Sequence, residues 1–106
     1  MNRGDVWWTD FEPAIGSEIR KTRPAVILTV DPVLRARRTP LLVPLSTGPA
    51  PRWPIHVATP SIGPRSLAVC DQARALDKTR LIRRIARLTD AELADLESAF
   101  REVHGL

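Results

Sequence analysis

The sequence predicts an α+β domain that is mainly β, with one helix at its C-terminal end. Three observations carry this. Ten prolines in 106 residues cut the chain into short segments, because proline fixes φ and cannot donate to a ladder. The apolar runs are short and rich in β-branched residues, as in Ala25-Val26-Ile27-Leu28-Thr29-Val30, which suits strands better than helices. The last segment, by contrast, has clear helical spacing, with Leu93, Leu96, Phe100 and Val103 on one stripe. A chain of 106 residues is expected to form a single domain, 1–106, around one modest core.

Gly4-Asp5-Val6-Trp7-Trp8-Thr9-Asp10 reads as a first strand, with Val6 and Trp8 on one face and Trp7 on the other. From Phe11 to Thr22 the periodicity is lost among Pro13, Gly16 and Ser17, so a long loop is expected, and long loops are commonly functional. Pro24 to Val30 follows as a strand buried on both faces. Pro24 biases Arg23 toward an extended conformation, so a guanidinium stands at the mouth of a rigid core strand. Asp31 followed by Pro32 predicts an N-cap with proline at the first helical position, and hence a short helical turn. Pro40 to Ser46 is a third strand, which Pro44 demotes to an edge or a bulge. Trp53 to Thr59 is a fourth strand around Ile55 and Val57, and Ser66 to Asp71 a fifth. Residues 77–88 fit a helical period through Leu81, Ile82, Ile85 and Leu88, yet Ile82–Leu88 also fits a strand. The final helix is the best-marked element. Thr89 and Glu92 form a capping box, Leu88 and Leu93 occupy the staple positions, and Gly105 ends it. Its acidic residues are expected to face water.

The sixteen basic and twelve acidic residues leave a formal charge of only +4, but they are unevenly placed. Arg20, Lys21, Arg23, Arg35, Arg37 and Arg38 stand against Asp31 alone, and Arg74, Lys78, Arg80, Arg83, Arg84 and Arg87 against Asp77 alone. Five acids and one arginine follow from Asp90 onward. Two basic segments and an acidic tail suggest a surface that faces a polyanion, although a solvated face gives the same pattern. The one cysteine, Cys70, rules out an internal disulfide and fits a reducing cytoplasm. The N-terminal residues have no signal-peptide core, and no apolar run is long enough to span a bilayer, so no membrane is expected.

His56, His104 and Cys70 lack metal-ligand spacing, and neither a Gly-rich phosphate loop nor a nucleophile elbow is present. Neither a metal nor a cofactor is therefore expected. The side chains left for chemistry are arginines, the hydroxyls of Ser46 and Thr47, and Asp71 with Gln72, each at a strand end beside a loop. A guanidinium and a hydroxyl can stabilise a crowded phosphorane, and RNA supplies its own nucleophile in the 2′-hydroxyl.

Six linked stretches carry a resemblance. Arg3-Gly4-Asp5-Val6-Trp7-Trp8, Gly16-Ser17-Glu18, Lys21-Thr22-Arg23-Pro24, Val43-Pro44-Leu45-Ser46, Cys70 to Lys78 with Arg80-Leu81, and the capped final helix together resemble the MazF/PemK family of toxin endoribonucleases. The likeness covers essentially the whole chain in order. It implies an SH3-like barrel or strongly bent antiparallel sheet with a C-terminal helix (MazF/PemK/CcdB-like), and it makes 82–88 a strand. It also implies a homodimer that cuts single-stranded RNA at short sequences without metal. The 2′-hydroxyl would attack, leaving a 2′,3′-cyclic phosphate and a 5′-hydroxyl. A cognate acidic antitoxin would lie across the same groove, and DNA would be met only through it.

On this likeness Arg23 matches the family's catalytic arginine, and Ser46 keeps a hydroxyl where the family usually has threonine. One branch of the family uses an arginine two residues before the Asp71 position and a histidine at the Ser17 position. This chain has Val69 and Ser17 there, so the expectation rests on Arg23 and Ser46, with Asp71 as proton acceptor or, equally, as a structural carboxylate. Arginine is an awkward base, its pKa being above ~12. Glu18, Arg20 and Lys21 fall on the expected flap over the RNA groove. Thr47 and Gln72 are expected beside RNA, Arg74 and Lys78 to hold phosphates or brace a dimer, and Trp53 to stack on a base. Trp7 and Trp8 are expected in the core or at the dimer interface. The rival readings are a gyrase poison of the same fold and a non-catalytic nucleic-acid-binding module.

Overall fold

Antiparallel pairing of short strands builds the molecule. The computed structural model describes residues 1–11 and 22–106. In chain order the elements are β1 (Asp5–Asp10), β2 (Thr22–Ile27), α1 (Asp31–Ala36), β3 (Leu41–Thr47), β4 (His56–Ala58), β5 (Ser66–Val69), β6 (Arg74–Ala75), β7 (Leu81–Arg87) and α2 (Asp90–His104). Single 3-10 turns at Cys70–Gln72 and Lys78–Arg80 flank β6. The strands lie in the order β4-β5-β3-β2-β1-β7, with β6 also paired to β3. The seven strands form a bent sheet that stays open between β4 and β7, as the resemblance implied. The ambiguous segment before the last helix is strand β7.

Both faces of β2 are buried, as its composition predicts. Val26 joins Val6, Val43, Leu45, Ala68 and Leu96 in a core beneath α2. Ala25 and Ile27 point the other way, onto Leu34, Leu42 and Phe11 in a second cluster. Val6 and Trp7 divide between these clusters in the same way. Two register shifts interrupt the β1–β7 ladder, between Val6 and Trp7 and between Trp8 and Thr9, and such bulges add bend and twist.

Three sequence expectations are corrected. Pro44 does not place β3 at an edge, because β3 pairs with β2, β5 and β6. The proline sits where β3 passes from one partner to the next: the β2 ladder ends at Ala25↔Pro44 and the β5 ladder begins at Leu45↔Ala68. Asp31 is not the N-cap of α1. Val30 holds that position, and the Asp31 carboxylate accepts instead from the Arg3 backbone N–H at 2.7 Å. The acids of α2 do not all face water. Glu92 is 7% exposed, Glu97 pairs with Arg3, and Glu102 accepts from Trp53 Nε1 at 2.7 Å.

The α2 N-terminus forms the predicted capping box: Glu92 N–H donates to Thr89 Oγ1 at 3.1 Å, and Thr89 N–H to Glu92 Oε1 at 2.9 Å. Gly105 closes the helix at φ 72°, a left-handed conformation that glycine adopts without penalty. Among the described residues no helix is long and apolar enough to cross a membrane.

Candidate functional site

The register of β2 and β3 creates the site. Their paired positions sum to a constant, Ala25↔Pro44, Val26↔Val43 and Ile27↔Leu42, so one step or two past the last pair would set Pro24 against Leu45 and Arg23 against Ser46. Those pairs do not form. Beyond Pro44 the strand turns to β5 while β2 stays on β1, with Arg23 opposite Thr9. The strands diverge like the arms of a V, and Arg23 and Ser46 stand on opposite arms of the opening.

That opening is a groove with two lobes. The larger, about 540 Å³, is lined by Trp8, Arg23 and Pro24 from β1 and β2, by Leu45, Ser46 and Thr47 from β3, and by Ile62, Pro64 and Arg65 from the turn before β5. The smaller, about 310 Å³, shares Arg23, Ser46 and Thr47 and adds His56, Val69 and Gln72. Arg23 and Ser46 are half-buried, as befits groups at the junction. Among the described residues no carboxylate lines either lobe, and neither Arg23 nor Arg65 has an acidic partner. The contrast with other arginines is informative. Arg3 pairs with Glu97, Arg38 with Asp77, Arg80 with Asp10, and both Arg84 and Arg87 with the buried Asp5.

The far wall is a braced turn. Thr59 N–H donates to Ser66 O and Ser66 N–H to Gly63 O, at 2.9 and 3.1 Å. The Thr59 hydroxyl donates to Ser66 Oγ at 2.7 Å in a buried contact. Ser61 donates its backbone N–H and its hydroxyl to the Glu92 carboxylate, at 2.9 and 2.5 Å. Burial pushes that carboxyl up, but the bonds from Ser61 and Thr89 outweigh it and hold the group below its ordinary value. Gly48 N–H donates to Arg65 O at 3.1 Å, tying the turn to the end of β3.

The predicted site residues separate into groups. Arg23, Ser46, Thr47 and Gln72 come together in the groove. Asp71 is exposed on the 3-10 turn beside Gln72. Its charge, after burial, helps raise the neighbouring Cys70 thiol to about 11. Trp53, Arg74 and Lys78 lie outside both lobes. The Trp53 indole is fastened to Glu102 of α2, the Arg74 guanidinium sits 5.8 Å over the Phe11 ring, and Lys78 Nζ donates to Leu34 O at the end of α1. Glu18, Arg20 and Lys21 lie outside the described residues.

Among the groove residues that escaped the sequence reading are Trp8, Ile62, Arg65 and His56. Trp8 was expected in the core or at an interface, yet its ring forms part of the groove wall. The signal for it was the alternation of β1, which puts Val6 inside and Trp8 further along the same face. Nothing local marks Arg65 or His56. The buried Nδ1 of His56 has no hydrogen-bond partner. No group of three or more His, Cys, Asp or Glu among the described residues could hold a metal ion.

Comparison with known proteins agrees with this architecture. The family described as PemK-like, MazF-like toxin of type II toxin-antitoxin system matches residues 2–104. The chain is 34% identical over 113 residues to endoribonuclease MazF9 of Mycobacterium tuberculosis, covering 95% of this chain and 93% of that protein. It is 34% identical over 95 residues to endoribonuclease PemK of Escherichia coli, covering 85% and 71%. Among solved structures, MazF from Deinococcus radiodurans superposes with a TM-score of 0.83 at 23% identity, over 100% of this chain and 97% of that one. A mycobacterial endoribonuclease in complex with its cognate antitoxin gives 0.82 at 22% identity, over 100% and 96%. At those identities the superpositions speak for the fold, a bent sheet with a C-terminal helix. The family match runs almost from end to end, and the chain belongs to the PemK-like, MazF-like toxins of type II toxin–antitoxin systems.

Proposed function

We propose that this protein is the toxin of a type II pair and acts as a metal-independent endoribonuclease on single-stranded RNA in the cytoplasm. The observation that carries this reading is the divergence of β2 and β3, which leaves Arg23 and Ser46 on opposite sides of an open groove that no carboxylate lines among the described residues. A groove with an arginine and a hydroxyl at its junction suits an anionic phosphodiester. In the reaction the 2′-hydroxyl attacks the adjacent phosphorus and the 5′-oxygen of the next nucleotide leaves. The departing 5′-oxygen takes up a proton from solvent, so the products are a 2′,3′-cyclic phosphate and a 5′-hydroxyl, and no water is consumed. The Arg23 guanidinium stabilises the phosphorane oxygens with paired charge-assisted hydrogen bonds, and the Ser46 hydroxyl adds a third donor. Asp71 is the proposed acceptor of the 2′-hydroxyl proton; it precedes Gln72 of the smaller lobe in the chain but lines neither lobe itself, so this role rests on the family likeness. Trp8 offers a face on which a base can stack.

The same reading includes a homodimer and a cognate acidic antitoxin that covers the groove, DNA being reached only through that partner. Both rest on the family likeness, and an acidic peptide suits a groove lined by two guanidinium groups with no acidic partner among the described residues. The test is incubation of purified protein with long single-stranded RNA in excess EDTA, with mapping of the ends. Discrete cuts bearing cyclic-phosphate and 5′-hydroxyl ends are expected, and Arg23→Ala should abolish them while leaving the melting curve intact. Several long RNAs left whole would turn the reading toward a gyrase poison or a non-catalytic binding module.

A further inference from the structure

We propose that Arg65 is a second anion-binding arm of the groove and holds an RNA phosphate other than the reacting one. This rests on the reading of the groove as an RNA site. Arg65 lines the wall formed by the turn between β4 and β5, whereas Arg23 lines the wall formed by β2. Five of the described arginines are paired with carboxylates; among those that are not, Arg23 and Arg65 are the two that line the groove. The two guanidinium groups stand on separate walls of one groove. They suit a strand that presents successive phosphates along the groove.

The position of Arg65 is built rather than incidental. Its backbone carbonyl accepts from Gly48 at the end of β3, and the residue after it, Ser66, is buried and bonded to Thr59. Four residues earlier, Ser61 is held by Glu92 at the N-terminus of α2. An exposed side chain on a turn fixed at both ends loses little backbone freedom when it meets its ligand, which favours binding. A phosphate contact of this kind sets affinity and register, not the chemical step.

The test uses the full-length protein and an RNA oligonucleotide that carries a mapped cut site. Binding is measured on the same oligonucleotide with the reacting 2′-hydroxyl removed, or on a mixed-sequence single strand if no cut maps. Arg65→Ala should weaken binding about tenfold and flatten the plot of log K against log[salt] by about 0.7, with kcat within about twofold of wild type at saturating RNA. Arg65→Lys should recover the slope, because the charge remains, but only part of the affinity. Arg101→Ala, which removes a cation from the exposed end of α2, should change neither. A single neutral methylphosphonate beside the cut site should cost wild type a similar factor and cost Arg65→Ala nothing further.

Equal affinity and slope in Arg65→Ala and wild type would overturn the assignment, as would methylphosphonate penalties that add in full in the variant. If wild type cuts RNA and Arg65→Ala behaves identically, only the Arg65 assignment fails. If wild type binds RNA without cutting it, the endoribonuclease reading fails and the slope still decides Arg65. If wild type neither cuts nor binds, both fail.

Discussion

Glu92 couples the start of the C-terminal helix to the wall of the groove, and its replacement is a quantitative test of the architecture. The carboxylate accepts three hydrogen bonds, from Ser61 N–H, Ser61 Oγ–H and Thr89 N–H. Hydrogen bonds to a charged group contribute about 1.5–3 kcal/mol each. Ser61 and Thr89 are exposed residues, so their released donors can turn to water, and ~1 kcal/mol per bond is the better figure. Glu92→Ala should therefore cost about 3 kcal/mol, a fall in Tm of roughly 10–15 °C for a chain of this size. Glu92→Gln keeps the length and one good acceptor and should lose about half as much. The carboxyl is held below its ordinary 4.5 in the folded state. Its contribution is thus fully present above about pH 4.5 and is lost as pH falls through the folded value. Urea melts of wild type and Glu92→Gln at pH 7 and at pH 3 measure this directly. The gap between the two proteins should be open at pH 7 and narrower at pH 3, since other carboxyl groups titrate alike in both. A gap of the same size at both pH values, or an Glu92→Ala variant that melts with wild type at pH 7, would refute the reasoning.

Other outcomes bear on the site itself. Ser46→Ala should lower kcat by about tenfold or more and Ser46→Thr should stay within a few-fold of wild type; equal activity of the two would remove the hydroxyl from the mechanism. Asp71→Asn should lower kcat about 10²-fold at unchanged Tm if the carboxylate takes the 2′-hydroxyl proton, whereas an unchanged kcat would assign Asp71 a structural place. Cys70 is buried, with its thiol raised to about 11 by burial and by the charge of Asp71. It should resist iodoacetamide at pH 8 in the native protein and react at once in urea, and fast native labelling would contradict its burial.

Much of this protein is legible along the chain because the deciding interactions are local. The capping box needs only Thr89 and Glu92 three residues apart. The double burial of Ala25, Val26 and Ile27 follows from an apolar run too branched for a helix. Arg23 at the mouth of that strand and Ser46 at the end of another were visible as types at strand ends, and the family likeness gave each a role. Contacts across the fold supply what the local signal does not. Pro44 suggested an edge or a bulge, and β3 is no edge: a residue without an N–H also suits the point where one strand changes partners. Trp53, read as a base-stacking residue, gives its indole N–H to an acid 49 positions away. Arg74 and Lys78, read as phosphate contacts or dimer braces, meet the Phe11 ring and a helix-end carbonyl.

What the sequence determined by itself, then, is most of the strands (β6 went unread, and β7 was settled only by the family likeness), the capped helix, the family, and which side chains are chemically able to meet a phosphate. Only the tertiary structure decided that Arg23 and Ser46 face each other across an opening, because that depends on the constant register of β2 and β3 and on where their ladder stops. Likewise, only the fold brings Trp8 and Arg65 to the same groove, since one comes from the first strand and the other from a turn held by a helix that follows it in the chain. Local propensity acts over a few residues, whereas a groove is made by the divergence of strands whose pairing is settled by burial across the whole sheet.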